Sequence, residues 1–210
     1  MVIELEGIRV VHRVNPRMKH AYLSVEADGT VVLKSNGRVQ RHLQAFVASK
    51  REWILHQQRR YAAQPTMQLG ESLLFLGDIV PLASLDAATF QTHSPEALRR
   101  SYDRFYRERA EAVLREKTAL FAERMGVTYE TIRFRKMKRR WGSCSKTGVI
   151  TYNTLLLQLE EAMVDYTVVH ELAHRVHFNH SADFHALVAS VLPDEKALRL
   201  RMRHRKASYY

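Results

Sequence analysis

Apolar and polar positions change period several times along the chain, and those changes divide it into elements. Residues 8–14, 21–26 and 30–34 alternate as strands do, with Asp28-Gly29 as a hairpin turn. After Gly37 the spacing becomes helical over 39–61, where Leu43, Phe46, Val47, Trp53 and Ile54 make one apolar stripe that Pro65 ends. Residues 73–82, with Gly77-Asp78 in the middle, predict a second hairpin. Ser94-Pro95-Glu96 has the form of a helix start, and Gly126 stops the helix after Met125. Strands are predicted over 132–135 and 149–153, on either side of a turn at Trp141-Gly142-Ser143-Cys144. Helices over 160–177 and 182–191 follow, then Pro193 and a basic terminal helix. The pattern predicts an α+β domain over residues 92–210, preceded by a hairpin-and-helix region, residues 1–91, that carries no catalytic constellation.

The chemistry concentrates in His170-Glu171-Leu172-Ala173-His174, followed by His180. Residues four apart on a helix stand one above the other. His170 and His174 therefore present two imidazoles to one ion, with Glu171 in reach of a metal-bound water as general base. Val168 or Val169, Leu172 and Val176 recur at helical spacing and predict a buried face that leaves the histidines looking across a cleft. A catalytic zinc needs a third protein ligand. His177 shares the face of the pair, but at about 1.5 Å per residue it sits roughly 10 Å along the axis from His170. One ion with bonds of about 2 Å does not easily span that distance. A turn through Phe178-Asn179-His180-Ser181, with Ser181 capping the next helix, brings His180 back to the pair. His180 is the first candidate, and His177, His185 and Glu195 stay open. With 11 histidines in 210 residues, the competing reading is a helix whose histidines are surface or satisfied core residues.

Composition narrows the class. A hydrophobic content of 46% supports a real core, and no apolar run approaches the length of a membrane span. The N-terminal acids do not resemble a signal peptide, and the single cysteine leaves no internal disulfide, so the chain reads as cytoplasmic. The net charge of +11 favours anionic partners, although such an excess is also found on plain solvated surfaces. One basic cluster, Arg133, Arg135, Lys136, Lys138, Arg139 and Arg140, begins as a strand with one wet face and lies close to the metal motif in sequence. The other, Arg199, Arg201, Arg203, His204, Arg205 and Lys206, reads as a solvated tail helix with nucleic acid as the alternative partner. Trp141-Gly142-Ser143-Cys144 is either a core-packed turn or the rim of the metal cleft, and Cys144 lacks the activated base a nucleophile needs. The strand over 148–153 is a candidate edge for an extended peptide.

Arg140-Trp141-Gly142-Ser143-Cys144-Ser145, Tyr166-x-Val168-Val169-His170-Glu171-Leu172-Ala173-His174 and Asn179-His180-Ser181-x-x-Phe184 together resemble the YgjP-like metal-dependent hydrolases. These are zincin-like proteins related to the SprT and Wss1-like groups. Residues 16–25 and Arg51-Glu52-Trp53-Ile54 also fit that pattern. The His spacing is shared with metzincins, but their turn glycine is His177 here and no Met-turn follows. The resemblance implies a zincin-like catalytic domain, one Zn2+ per chain at His170, His174 and His180, and Glu171 as catalytic acid/base. The first functional reading is a zinc metallopeptidase acting through Glu-assisted attack of zinc-bound water. Nucleotide or phosphate-anhydride hydrolysis is the alternative, and a DNA-associated module or a protease acting on DNA-bound proteins is the second. Arg140, Trp141, Tyr152 and His177 are candidate substrate-binding or oxyanion-stabilising residues.

Overall fold

The computed structural model describes the chain except residues 1, 6, 27, 38–39, 63–66, 86, 93, 204, 206 and 208–210, so Pro65, His204 and Lys206 lie outside the described residues. Contacts group it into two compact units, residues 1–65 and 66–210. No helix among the described residues is long and apolar enough to cross a membrane.

The first unit is a four-stranded sheet with two helices. Strands β1 (Val2–Leu5), β2 (Ile8–Val14), β3 (Tyr22–Val25) and β4 (Val31–Ser35) lie in the order β1-β2-β4-β3, with β2 and β4 parallel. The Asp28-Gly29 turn closes the β3–β4 hairpin, the Asp28 carboxylate accepting from the Thr30 N–H at 2.9 Å. The single helix expected over 39–61 is two, α1 (Gln40–Ser49) and α2 (Arg51–Ala62). At the break the Ser49 hydroxyl donates to the Phe46 carbonyl at 2.8 Å, a local bond that competes with the helix ladder. Val47 and Ile54 enter the core as their spacing requires, whereas Trp53 is 42% exposed.

The second unit begins with the hairpin β5 (Ser72–Phe75) and β6 (Asp78–Pro81), ahead of the boundary at 91/92 that local patterning suggested. Its tie is tertiary. Helix α3 (Ala87–Phe90) leads to the 31-residue α4 (Pro95–Met125). From α4, Tyr102 donates its hydroxyl to the Ser72 carbonyl and Tyr106 donates to that of Leu74. Helix α4 starts and stops as predicted. Ser94 accepts from the Ala97 N–H, and Gly126 takes the left-handed conformation at φ 62° that a side chain resists.

After α4 come β7 (Thr131–Arg135), β8 (Gly142–Cys144) and β9 (Val149–Asn153) in the order β7-β9-β8, β9 running parallel to β7 and antiparallel to β8. The 148–153 segment is therefore central, and the edge next to the metal motif is β8. The Trp-Gly-Ser-Cys stretch reads as a turn in isolation and becomes a strand because Gly142, Ser143 and Cys144 pair with Tyr152, Thr151 and Ile150. Helices α5 (Glu161–Ala173), α6 (Ala182–Val191) and α7 (Glu195–Met202) complete the unit. Met163, Val164, Val168, Val169, Leu172 and Ala173 of α5 are wholly buried, so this helix runs through the core instead of lying on it.

Candidate metal centre

Helix α5 presents His170 three residues before its end and His174 at its C-cap. The helix was expected to continue to 177, but it tightens after Ala173. Arg175 N–H bonds the Leu172 carbonyl at 2.8 Å and Val176 N–H bonds that of Ala173 at 3.0 Å. Val176 consequently faces out, 50% exposed, instead of extending the buried stripe. The early turn brings the chain back over the helix end. Ser181 then caps α6, accepting from the Phe184 N–H at 3.3 Å, and His180 stands just ahead of that cap.

The result is a triad. One ring nitrogen each from His170, His174 and His180 lies within 4.8 Å of the others. Tetrahedral coordination with bonds of about 2.0–2.1 Å places ligand nitrogens roughly 3.3 Å apart. The Nε2 atoms of His170 and His180 are 3.1 Å apart. His174 Nδ1 lies 3.1 Å from the His177 carbonyl, which can only accept, so Nδ1 carries the proton and Nε2 keeps its lone pair. Burial, reinforced by His174, His180 and His185, holds the His170 pKa down at about 3, and burial also lowers that of His180. Neutral imidazoles are the form that ligates. Beneath them lies Phe184, fully buried, with its ring centroid 4.9, 4.8 and 4.9 Å from those of His170, His174 and His180. The spacing of this donor set and the tautomer of His174 fit a zinc ion.

Glu171 lies one residue along, 5% exposed. Burial pushes its carboxyl up to about 8, with the charge of Arg140 pulling the other way. Strand β8 fixes it in place. A Cβ added at Gly142 would come 2.5 Å from Glu171 Oε1, so this strand approaches the carboxylate as only glycine allows. Trp141, Gly142, Tyr166, Thr167, His170 and Glu171 of this face, together with residues of α7, surround an open pocket of about 310 Å³.

The remaining candidates divide. His185 and Glu195 are engaged with each other: Arg199 can only donate, so His185 Nε2 accepts from it at 2.9 Å and His185 Nδ1–H donates to Glu195 at 2.9 Å. His177 acts through its backbone carbonyl, and its imidazole is outside the triad. Tyr152 is wholly buried, its hydroxyl 3.1 Å from that of Thr118, and so does not face the pocket as an oxyanion donor. Burial raises the Cys144 thiol, which suits a small packing residue. Three pocket residues escaped sequence reasoning: Arg199, Met202 and Arg203 arrive from α7 and its end, with no local signal linking them to the motif. Tyr166 and Thr167 did carry one, since each lies a helical turn before His170 and Glu171. The second basic cluster is more than a solvated helix: Arg201 and Arg205 pair with Glu160, and Arg199 with Glu195.

An α+β unit that gathers three imidazoles and a buried carboxylate beside an open pocket has the build of a metal-dependent hydrolase. The YgjP-like metallopeptidase domain matches residues 19–205, and the chain belongs to that family. No curated protein matches it. Among solved structures it is similar in part to two metallopeptidase zymogens. Abylysin of Pyrococcus abyssi is 27% identical over 45% of this chain and 99% of that one, with a TM-score of 0.40. Jannalysin of Methanocaldococcus jannaschii is 18% identical over 43% and 93%, with a TM-score of 0.39.

Proposed function

We propose that this chain is a zinc peptidase in which His170, His174 and His180 hold one zinc ion and Glu171 serves as general base and then general acid. The observation that carries the reading is the triad of imidazole nitrogens within 4.8 Å, with the Glu171 carboxyl clamped beside it by Gly142. Zinc bound there supplies Lewis acidity toward the substrate oxygen and acidifies a water. Glu171 takes a proton from the attacking water and returns it to the departing amine, a task suited to a carboxyl held by strand β8 one residue along from His170. Strand β8, the sheet edge beside Glu171, offers unpaired backbone groups to an extended peptide. Arg199, held by His185 and Glu195, is the fixed cation facing the pocket and the best-placed donor for a developing oxyanion.

The test is a paired assay of an unstructured protein and of nucleoside triphosphates, with wild-type and Glu171→Gln protein, alongside metal analysis. The expected result is about one zinc per chain in both proteins and peptide cleavage in the wild type alone. Phosphate or pyrophosphate release that depends on Glu171, with no peptide cleavage, would replace the peptidase reading by the phosphate-anhydride one.

A further inference from the structure

The two basic clusters, about sixty residues apart in sequence, meet in space. Lys138, Arg139 and Arg140 from the loop before β8 face Arg203 and Arg205 from the end of α7 across a pocket of about 330 Å³. Among the described residues no carboxylate lines it. Neighbouring cations have partners: Lys136 pairs with Asp103, Arg201 with Glu160, and Arg199 with Glu195, while Arg205 shares Glu160. Lys138, Arg139, Arg140 and Arg203 have no ion pair among the described residues. Unmatched like charges around one concavity repel each other, and an anionic ligand relieves that repulsion.

The loop is built into the fold. Asn153, 1% exposed, donates its amide to the Met137 and Arg140 carbonyls at 2.7 and 3.0 Å and accepts from the Met137 N–H at 3.2 Å. Asn153 N–H also bonds the Trp141 carbonyl at 2.8 Å. The basic loop is thus pinned to the strand next to β8. Trp141 and Arg203 line both this pocket and the one beside Glu171, so the two pockets adjoin.

We propose that this pocket is a carboxylate subsite, which selects peptide substrates bearing an acidic group close to the scissile bond. The inference rests on the peptidase reading above. A concave pocket of this volume suits one or two carboxylates, whereas a nucleic acid backbone asks for an extended basic stripe. The carboxylate comes either from an Asp or Glu side chain or from the C-terminus of a short peptide.

Matched fluorogenic peptides test this, with a single Glu, Gln or Lys walked through the positions flanking the scissile bond, each as free acid and as amide. Wild-type protein should cleave the Glu peptide in one register with a kcat/KM about tenfold or more above its Gln counterpart, a preference that shrinks in high salt. Lys138→Ala combined with Arg139→Ala should abolish the preference through KM, leaving turnover of the Gln peptide within about twofold. Loss of the preference on amidation would assign the terminal carboxylate, and its survival the side chain. Anisotropy of the same peptides on Glu171→Gln protein gives a readout that needs no turnover. Cleavage without acidic preference, or a preference that survives in the double variant, overturns the subsite and leaves the peptidase reading standing. Glu-selective binding with no cleavage supports the subsite and overturns the peptidase reading. Failure of every peptide both to bind and to be cleaved overturns both.

Discussion

Gly142 carries no functional group, yet it sets where the Glu171 carboxyl stands. Because a methyl there would fall 2.5 Å from Glu171 Oε1, Gly142→Ala should displace the carboxylate and lower kcat by about tenfold or more, at an overpacking cost of about 1–3 kcal/mol. Zinc content should stay at the wild-type value, since no ligand moves. Normal turnover in this variant would show that the carboxylate tolerates displacement. Two neighbouring residues should also leave opposite marks on the stability of metal-free protein. Glu171, raised from 4.5 to about 8, binds a proton in the folded state first, so its contribution grows as pH falls from 8 toward 4.5. His170, lowered from 6.5 to about 3, is protonated first in the unfolded chain, so its contribution is lost as pH falls from 6.5 toward 3. Thermal melts in chelator should therefore rise from pH 8 to 6.5, change little to 4.5, and drop below it. Glu171→Gln should remove the first limb and His170→Gln the last.

At the scale of elements, α5 is the support of the site and α6 its floor. Phe184, which touches all three imidazole rings, joins them. Phe184→Ala should cost about 3–5 kcal/mol in metal-free protein and also weaken zinc binding, measured by competition with a chromophoric chelator. Phe184→Leu should restore most of the stability; unchanged zinc affinity in the Ala variant would mean the ring does not order the ligands. Helix α4 is tied to α5 by Lys117, whose ammonium lies 2.8 Å from Glu161 and 2.7 Å from Asp165. Burial alone would lower the Lys117 pKa, but the two carboxylates more than offset it and raise it above 10.5. Its stabilising contribution is thus complete below 10.5 and is lost as pH rises through the folded value. Glu161 is 64% exposed and screened by solvent, but Asp165 Oδ1 is buried and would lose its cation, so Lys117→Met should cost about 1–3 kcal/mol at neutral pH. Urea titrations should show that difference narrowing in strong alkali.

At the scale of the whole molecule, zinc should act as a stabilising ligand, because the triad exists only once α5, the following turn and α6 are assembled. Free zinc at about 100 times its Kd adds about 2.7 kcal/mol, read as a rise in Tm that His180→Ala abolishes. An equal rise in that variant would place the ion elsewhere. What the chain alone determined was local. The helix bounded by Ser94 and Gly126, the alternating strands, the i,i+4 histidines and the Ser181 cap all follow from backbone geometry and side chains a turn or less apart. His180 was legible as the first candidate because a straight helix cannot return a third ligand, while His185 and Glu195 could be set aside only once they were seen bonded to each other. Tertiary structure decided what depends on distant partners. Strand β9 became central and β8 the edge because pairing is a property of three segments together. Tyr152 went to the core and α5 stopped at Ala173 for packing reasons that no local period encodes. Residues 199–203 reached the site, and the two basic clusters closed one pocket, because α7 folds back beside the loop before β8. Periodicity reports which face of an element is buried, and only the packed chain says against what.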